Sequence, residues 1–461
     1  LTVSAPTGLG QQDVTDLLAS QRLHFNHYGR PPMPYACVRA SGIEFEVADL
    51  AGQTPGATFR VLDASGAYGS ACLGAGHPVM RDSVHRALTE SGYVTDELAS
   101  LERARLLTRL FGAQGLWREH FPDDAYHVAG RNSGSEGLEL ALRLVLESRF
   151  DARKLRYHPG QEQRDTILAF EGAWHGWTGG LLQLLNRRHY KVGLPGPATA
   201  EDHGVRVVHI PFGDPAALRE FFAANAGRLL AVFVEPVQGD AGILVPPPGY
   251  LRELEQLCRG AGTLLVADEV LTFAKSGQFF AMRDDGPVHT DITVIGKSLG
   301  MGVVSTAMVI ARRELRARAT GTVATSDLRP FTCAVINDGL DHVVSAGLLE
   351  RSRELGRRLS AGLSSLVAEF PDVYSETRGI AVMHGLELTD AAAARLDVLR
   401  ENVIRAGVYI EFMAGAGRRS AGLRYVHPTM RIAPPLVTTT EQAAEIVDRL
   451  RAGTRAFRQA R

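Results

Sequence analysis

The segment DITVIGKSLGMG, residues 291–302, carries a lysine out of an apolar run straight into a glycine-rich turn. Lys297 is either a snorkelling surface cation or a reactive amine in a buried site, and the segment alone admits both. It is not a phosphate-binding P-loop. That motif needs a glycine five residues before its second glycine, and the position holds Asp291. A second apolar run, LLVADEV, ends on Asp268 and Glu269. Neighbouring strand residues face opposite ways, so only one of the two can serve a given pocket. The alternative is a polar strand end capping the next turn. A carboxylate buried at a ligand edge needs a cationic partner. Lys297 follows one strand unit later, which allows both side chains to enter one crevice.

Three further segments have side chains suited to ligand binding. In GRNSGSEGLELALRL, serines and glycines precede an amphipathic helix. Ser133 or Ser135 suits ordinary capping, and the same helix start, with its amides and dipole, suits an anion. In FEGAWHGWTGG, Trp174 is one of three tryptophans in the chain. It fits core packing or a flat wall against a planar ring. His175 beside it lacks a second ligand at metal spacing. In TMRIAPPLVTT, Arg431 lies among apolar residues before a Pro-Pro corner. It fits a structural ion pair or the reading of a carboxylate.

The elements that must position these residues alternate. YHVAG, TILAFE, VRVVHIPF, LLAVFVEPV, TLLVADEV, DITVIGK and STAMVIA read as strands. Helical patterns such as GLELALRLVLESRF and GYLRELEQLCRGAG lie between several of them. This predicts an α/β domain with a largely parallel sheet covered on both faces, and ligands at the carboxyl ends of its strands. Residues 1 to about 60 read as irregular, and SVHRALTESG and TDELASLERARLLTRLFG as helices. Beyond about residue 335 long helices lead to IAVMHGLEL and a final helix, a smaller α+β domain. The expected division is 1–75, contributing to the small domain and to dimer contacts, then 76–335 and 336–461.

The 461 residues include 50 Lys+Arg and 51 Asp+Glu, so nothing in the charge calls for nucleic acid or an anionic membrane. Cys37, Cys72, Cys258 and Cys333 are scattered, which fits a reducing cytoplasm and argues against a structural zinc. No apolar run has the length of a membrane span and no signal peptide is evident. A cytoplasmic location is therefore expected.

Taken together, a helix start for a phosphate, an indole for a ring, a carboxylate for a ring nitrogen and a lysine for a Schiff base describe one ligand, pyridoxal phosphate. From about residue 59 to the C-terminus the sequence resembles the class III aminotransferases, which have the type I fold of pyridoxal-phosphate enzymes. These include ornithine, acetylornithine and 4-aminobutyrate aminotransferases and glutamate-1-semialdehyde aminomutase. The resemblance rests on LGAGHP, NSGSEG, FEGAWHGWTGG, VFVEPVQGDAGI, LLVADEV, IGKSLG, RGIAVMHGLEL and MRIAPPL, in that order. It implies a seven-stranded, mainly parallel large domain and a homodimer with shared active sites.

The resemblance also implies roles. Lys297 is the Schiff-base lysine and proton carrier, and Asp268 the partner of the ring nitrogen. Gly134 and Ser135 bind the phosphate, and Trp174 and Val270 cover the two ring faces. Glu235 lines the site, and Thr325 reaches the partner subunit's phosphate. Arg431 binds a substrate carboxylate and Asp240 gates it. The expected activity is transfer of an amino group from an amino acid or amine to a keto or aldehyde acceptor. Departures from the family pattern fall at Leu271, in TFAKSG, in LGMGVVSTAM and in SDLRP. They keep open other reactions of the same cofactor: racemisation or epimerisation, aminomutation, decarboxylation, or elimination with carbon–carbon bond formation. A non-catalytic relative is the remote alternative.

Overall fold

A computed structural model of the chain describes all residues except 1–7, 26–31, 93, 123–124, 152–153, 155, 188–190, 192–203, 318–320, 419–423 and 461. The strands in chain order begin with β1 (Tyr35–Ser41), β2 (Glu44–Asp49), β3 (Thr58–Asp63) and β4 (Tyr126–Arg131). A short pair follows, β5 (Phe150–Asp151) and β6 (Arg156–Tyr157), then β7 (Thr166–Phe170), β8 (Arg206–Ile210) and β9 (Leu229–Val234). Next come β10 (Leu264–Asp268), β11 (Ile292–Ile295) and β12 (Ala307–Arg312). The last seven are β13 (Tyr374–Ile380), β14 (Met383–Leu388), β15 (Val408–Tyr409), β16 (Glu411–Met413), β17 (Ala416–Arg418), β18 (Arg424–Val426) and β19 (Thr429–Ile432).

All seven apolar runs become strands of one sheet, ordered β4-β12-β11-β10-β9-β7-β8. Only β12 runs against its neighbours, β11 and β4. The sheet is therefore mainly parallel, as the continuous apolar runs require once both faces are covered. Side-chain alternation divides it between two cores. Val266 and Val294 pack with Leu138, Ala141 and Val145 of the helix Gly134–Glu147. Leu265 and Ala267 pack with Tyr250, Leu254 and Phe222 on the other face. Burying each large aliphatic side chain of this kind contributes about 1.5–3 kcal/mol. The period of two that puts Val266 under the first helix puts Asp268 on the same face.

A second sheet, β13-β14-β19-β16, is antiparallel throughout. The helices Leu348–Glu369, Leu396–Arg405 and Thr440–Gln459 pack with it in one core that includes Leu363, Leu399, Ile432 and Ile446. The long helical pattern before it is two helices, Pro330–Ser345 and Leu348–Glu369, broken where Gly347 takes φ +60°. Glycine accepts that left-handed conformation without a Cβ clash.

The N-terminal segment differs from expectation. The described residues up to about 60 are not irregular: they hold the helix Gln11–Leu23 and the meander β1-β2-β3. The strands β1 and β2 are mostly half-buried, which leaves only a weak apolar alternation to read. Their sheet is completed by β15, which pairs in parallel with β3 from far along the chain. The helix expected over residues 95–112 is also shorter, Leu101–Phe111, because Ser100 caps it by accepting the Arg103 amide at 3.2 Å. Among the described residues no helix is long and apolar enough to cross a membrane.

Candidate active site

At the carboxyl ends of β10 and β11 lies a cavity of about 310 Å³. In the parallel register Asp268 stands beside Val294, and Lys297 comes three residues further along β11's exit. Gly296 breaks the strand, and Lys297 opens the short turn Lys297–Gly300 with φ +44°. A left-handed conformation costs a non-glycine residue about 1–2 kcal/mol. Ser298 anchors this turn by donating its hydroxyl to the Gly69 carbonyl at 3.2 Å. Burial lowers the Lys297 pKa from its ordinary value, and the charge of Arg431 lowers it further. A buried amine of this kind holds its proton less tightly and is the better nucleophile.

Asp268 is held on both oxygens. Oδ1 accepts the Val270 amide at 3.0 Å and Oδ2 lies 2.9 Å from Nδ1 of the fully buried His175. A carboxylate only accepts, so Nδ1 is the donor. Glu269 turns away, as alternation requires, and caps the amides of Ala281 and Met282 at 3.0 and 2.7 Å.

The floor is the start of the helix Gly134–Glu147. Ser133 caps it, accepting the Glu136 amide at 3.2 Å, so Gly134 and Ser135 fill the first two positions, whose amides have no acceptor within the helix. A Cβ on Gly134 would lie 2.6 Å from Val270 Cγ1, and one on Gly176 would lie 2.4 Å from Ser135 Oγ. Backbone approaches this closely only because both are glycine. Glu235 fixes the Trp174 loop: its two oxygens accept the Trp174 amide at 2.8 Å and the Gly239 amide at 3.1 Å. Burial, then the charge of Asp268, pushes the Glu235 carboxyl up to about 7.

Gly134, Ser135, Trp174, Glu235, Asp240, Asp268, Val270, Lys297 and Arg431 all line this one cavity. Thr325 is not among its lining residues; it is exposed, with its carbonyl accepting from Arg329. Asp240 is paired with Arg187 and not with Arg431.

Sequence reasoning missed four residues. His175 has no metal-ligand spacing to mark it, and its contact is with Asp268. Arg187 sits 5.1 Å over the Trp174 ring and pairs Asp240. Glu411 pairs Arg431. Lys275 is 2% exposed and donates to the Leu271 carbonyl at 2.8 Å. The signal for Lys275 was present: lysine occurs only at Lys154, Lys191, Lys275 and Lys297, and Lys275 falls within a segment that departs from the family pattern.

Residues 30–453 match the family model described as aminotransferase class-III. The chain belongs to the class-III aminotransferase family. It is 31% identical over 420 residues to the ornithine aminotransferase of Bordetella pertussis strain Tohama I, covering 89% of each chain. It is 29% identical over 395 residues to the acetylornithine aminotransferase of Agrobacterium fabrum, covering 85% of this chain and 88% of the relative. Among solved structures, the ornithine aminotransferase of Toxoplasma gondii superposes with a TM-score of 0.78 at 24% identity, covering 96% and 95% of the two chains. A Bacillus anthracis aminotransferase gives 0.79 at 20% identity, covering 97% and 100%.

The residues present fit the family's cofactor, pyridoxal phosphate. The glycine-lined helix start offers unclaimed amides to a phosphate, and Trp174 and Val270 both line the cavity it opens into. The buried carboxylate Asp268 and the amine Lys297 complete the set.

Proposed function

We propose that the protein is a pyridoxal-phosphate-dependent aminotransferase. It moves an amino group from an amino acid or amine donor to a keto or aldehyde acceptor, acting as a cytoplasmic homodimer with shared sites. The observation that carries this reading is the convergence of Lys297 and Asp268, from the ends of neighbouring parallel strands, on a cavity floored by a helix N-terminus. When bound, the cofactor supplies an aldehyde that takes up the amino group and a conjugated ring that spreads the charge left when the substrate carbon loses its proton.

The chain's own residues do the rest. Gly134 and Ser135 hold the phosphate with backbone amides and the helix dipole. Asp268, oriented by the Val270 amide and His175, would pair with the ring nitrogen of a bound cofactor. Lys297, whose basicity is lowered by burial, would be the amine that holds the cofactor's aldehyde and the base that moves the substrate proton. Trp174 and Val270 confine the ring and exclude water. Thr325 is exposed and does not line its own chain's cavity, which suits a contact to a partner subunit's phosphate. One observation favours a second reading. Leu271, a departure from the family pattern, lines the cavity and has no donor to offer there, which keeps open another reaction of the same cofactor.

A panel of amino donors added to the purified yellow protein tests the proposal. Loss of the long-wavelength absorption with release of a keto product, restored by a keto acid or aldehyde, is the expected result. A cofactor that no donor converts to its amino form rules transamination out.

A further inference from the structure

Arg187 lies outside the cavity yet touches three parts of its wall. The side chain is 6% exposed and does not line the cavity, whereas Trp174 and Asp240 both do. Its Cζ sits 5.1 Å over the centre of the Trp174 ring, so the guanidinium meets the indole from the outer side. One end, Nη1, is paired with Oδ2 of Asp240. The other, Nη2, donates to the Gly172 carbonyl at 3.2 Å, two residues before Trp174. Nε is buried with no hydrogen-bond partner among the described residues, so the stack and these two contacts fix the group. The backbone that carries it is pinned in turn, because the Tyr425 hydroxyl donates to the Asn186 carbonyl at 3.1 Å.

These contacts complement those of Glu235. Glu235 accepts the amides of Trp174 and Gly239 and so fixes the backbone on both sides of the wall. It leaves the indole able to turn about its own side-chain bonds. Trp177 meets that indole edge-on, with ring centroids 5.5 Å apart and 64° between the planes, but is itself more than half exposed. An exposed side chain is a yielding support. A planar, always-charged guanidinium, held at both ends and out of water, is a rigid one.

We propose that Arg187 is a positioning residue: it holds the indole of Trp174 in place from behind, so that the cofactor ring meets a wall already set. It touches neither cofactor nor substrate and acts through Trp174. The inference rests on the aminotransferase reading for the identity of the cofactor, but its test does not depend on turnover.

The test is titration of the apoprotein with pyridoxal phosphate, followed by visible circular dichroism of the bound cofactor, which reports how firmly its ring is held. Arg187→Met removes the plane and the charge. It should weaken binding about tenfold and reduce the dichroism per bound cofactor. Trp174→Ala should weaken binding at least as much. Arg187→Met/Trp174→Ala should bind no more weakly than Trp174→Ala alone, because contacting residues that act as one unit are not additive. Unchanged affinity or unchanged dichroism in Arg187→Met overturns the proposal, as do losses that add fully in the double variant. Should Arg187→Met not fold, Arg187→Lys keeps the charge beside Asp240 but lacks the plane. Reduced dichroism in that variant supports the proposal, and unchanged dichroism overturns it. Failure of the aminotransferase reading registers separately, as a bound cofactor in the unaltered protein whose absorption no amino donor changes.

Discussion

Nδ1 of His175 lies 2.9 Å from Oδ2 of Asp268, and neither side chain is more than 4% exposed. The imidazole therefore fixes which way the carboxylate points at the end of β10. A hydrogen bond to a charged group contributes about 1.5–3 kcal/mol. His175→Ala should accordingly slow the first half-reaction about 10- to 100-fold, while the protein still binds cofactor. Asp268→Ala should be more severe, because it removes the charge itself. Stopped-flow absorbance on both variants with one donor checks the order. Equal rates for His175→Ala and the unaltered protein would show that the Val270 amide alone orients the carboxylate.

The helix start tolerates only glycine at its first position. A methyl on Gly134 would meet Val270 Cγ1 at 2.6 Å and Cγ2 at 2.8 Å. Overpacking of this kind costs about 1–3 kcal/mol. Gly134→Ala should weaken cofactor binding about tenfold or more, measured by fluorescence titration of the apoprotein. Because the clash is with one side chain, Gly134→Ala/Val270→Ala should recover part of the loss. No recovery would mean that the methyl obstructs the phosphate itself.

Lys275 gives a prediction about pH and stability. Burial, and after it the charge of Lys297, lowers its pKa from 10.5 to about 7. In the unfolded chain the amine keeps its proton up to its ordinary value. Below about pH 7 both states are protonated, and the folded state bears the full cost of a buried cation. Between about 7 and 10.5 the folded state has released the proton and the unfolded state has not, so this cost is progressively relieved as pH rises. Lys275→Met should thus stabilise the protein near pH 7 by a few kcal/mol, to order of magnitude. The gain should shrink toward pH 10. Denaturant unfolding of both proteins, in the same cofactor state at several pH values, reads this directly. A gain that does not change with pH would assign the effect to packing.

Where the sequence was legible, one residue type at the end of one apolar run was enough. Lys297 and Asp268 each close a continuous apolar strand, and parallel strands bring their carboxyl ends together whatever the details of the loops. Ser133 and Gly134 precede an amphipathic helix, so the helix start could be read locally. What stayed hidden depends on register or on long connections. Glu411 meets Arg431 only because β16 pairs with β19 in one particular alignment. Arg187 reaches Asp240 across the Trp174 loop. The meander β1-β2-β3 finds its fourth strand at Val408–Tyr409, which no local pattern near residue 60 announces.

The central claim is that Lys297 is the amine that bonds the cofactor, and the buried Lys275 nearby makes it a discriminating one. Reduction of the purified yellow protein with borohydride, followed by proteolysis and mass spectrometry of the peptides, tests it most directly. The account predicts the reduced cofactor on the peptide carrying Lys297, and no such label in Lys297→Ala. A label on Lys275, or a protein that retains no reducible chromophore, would contradict it.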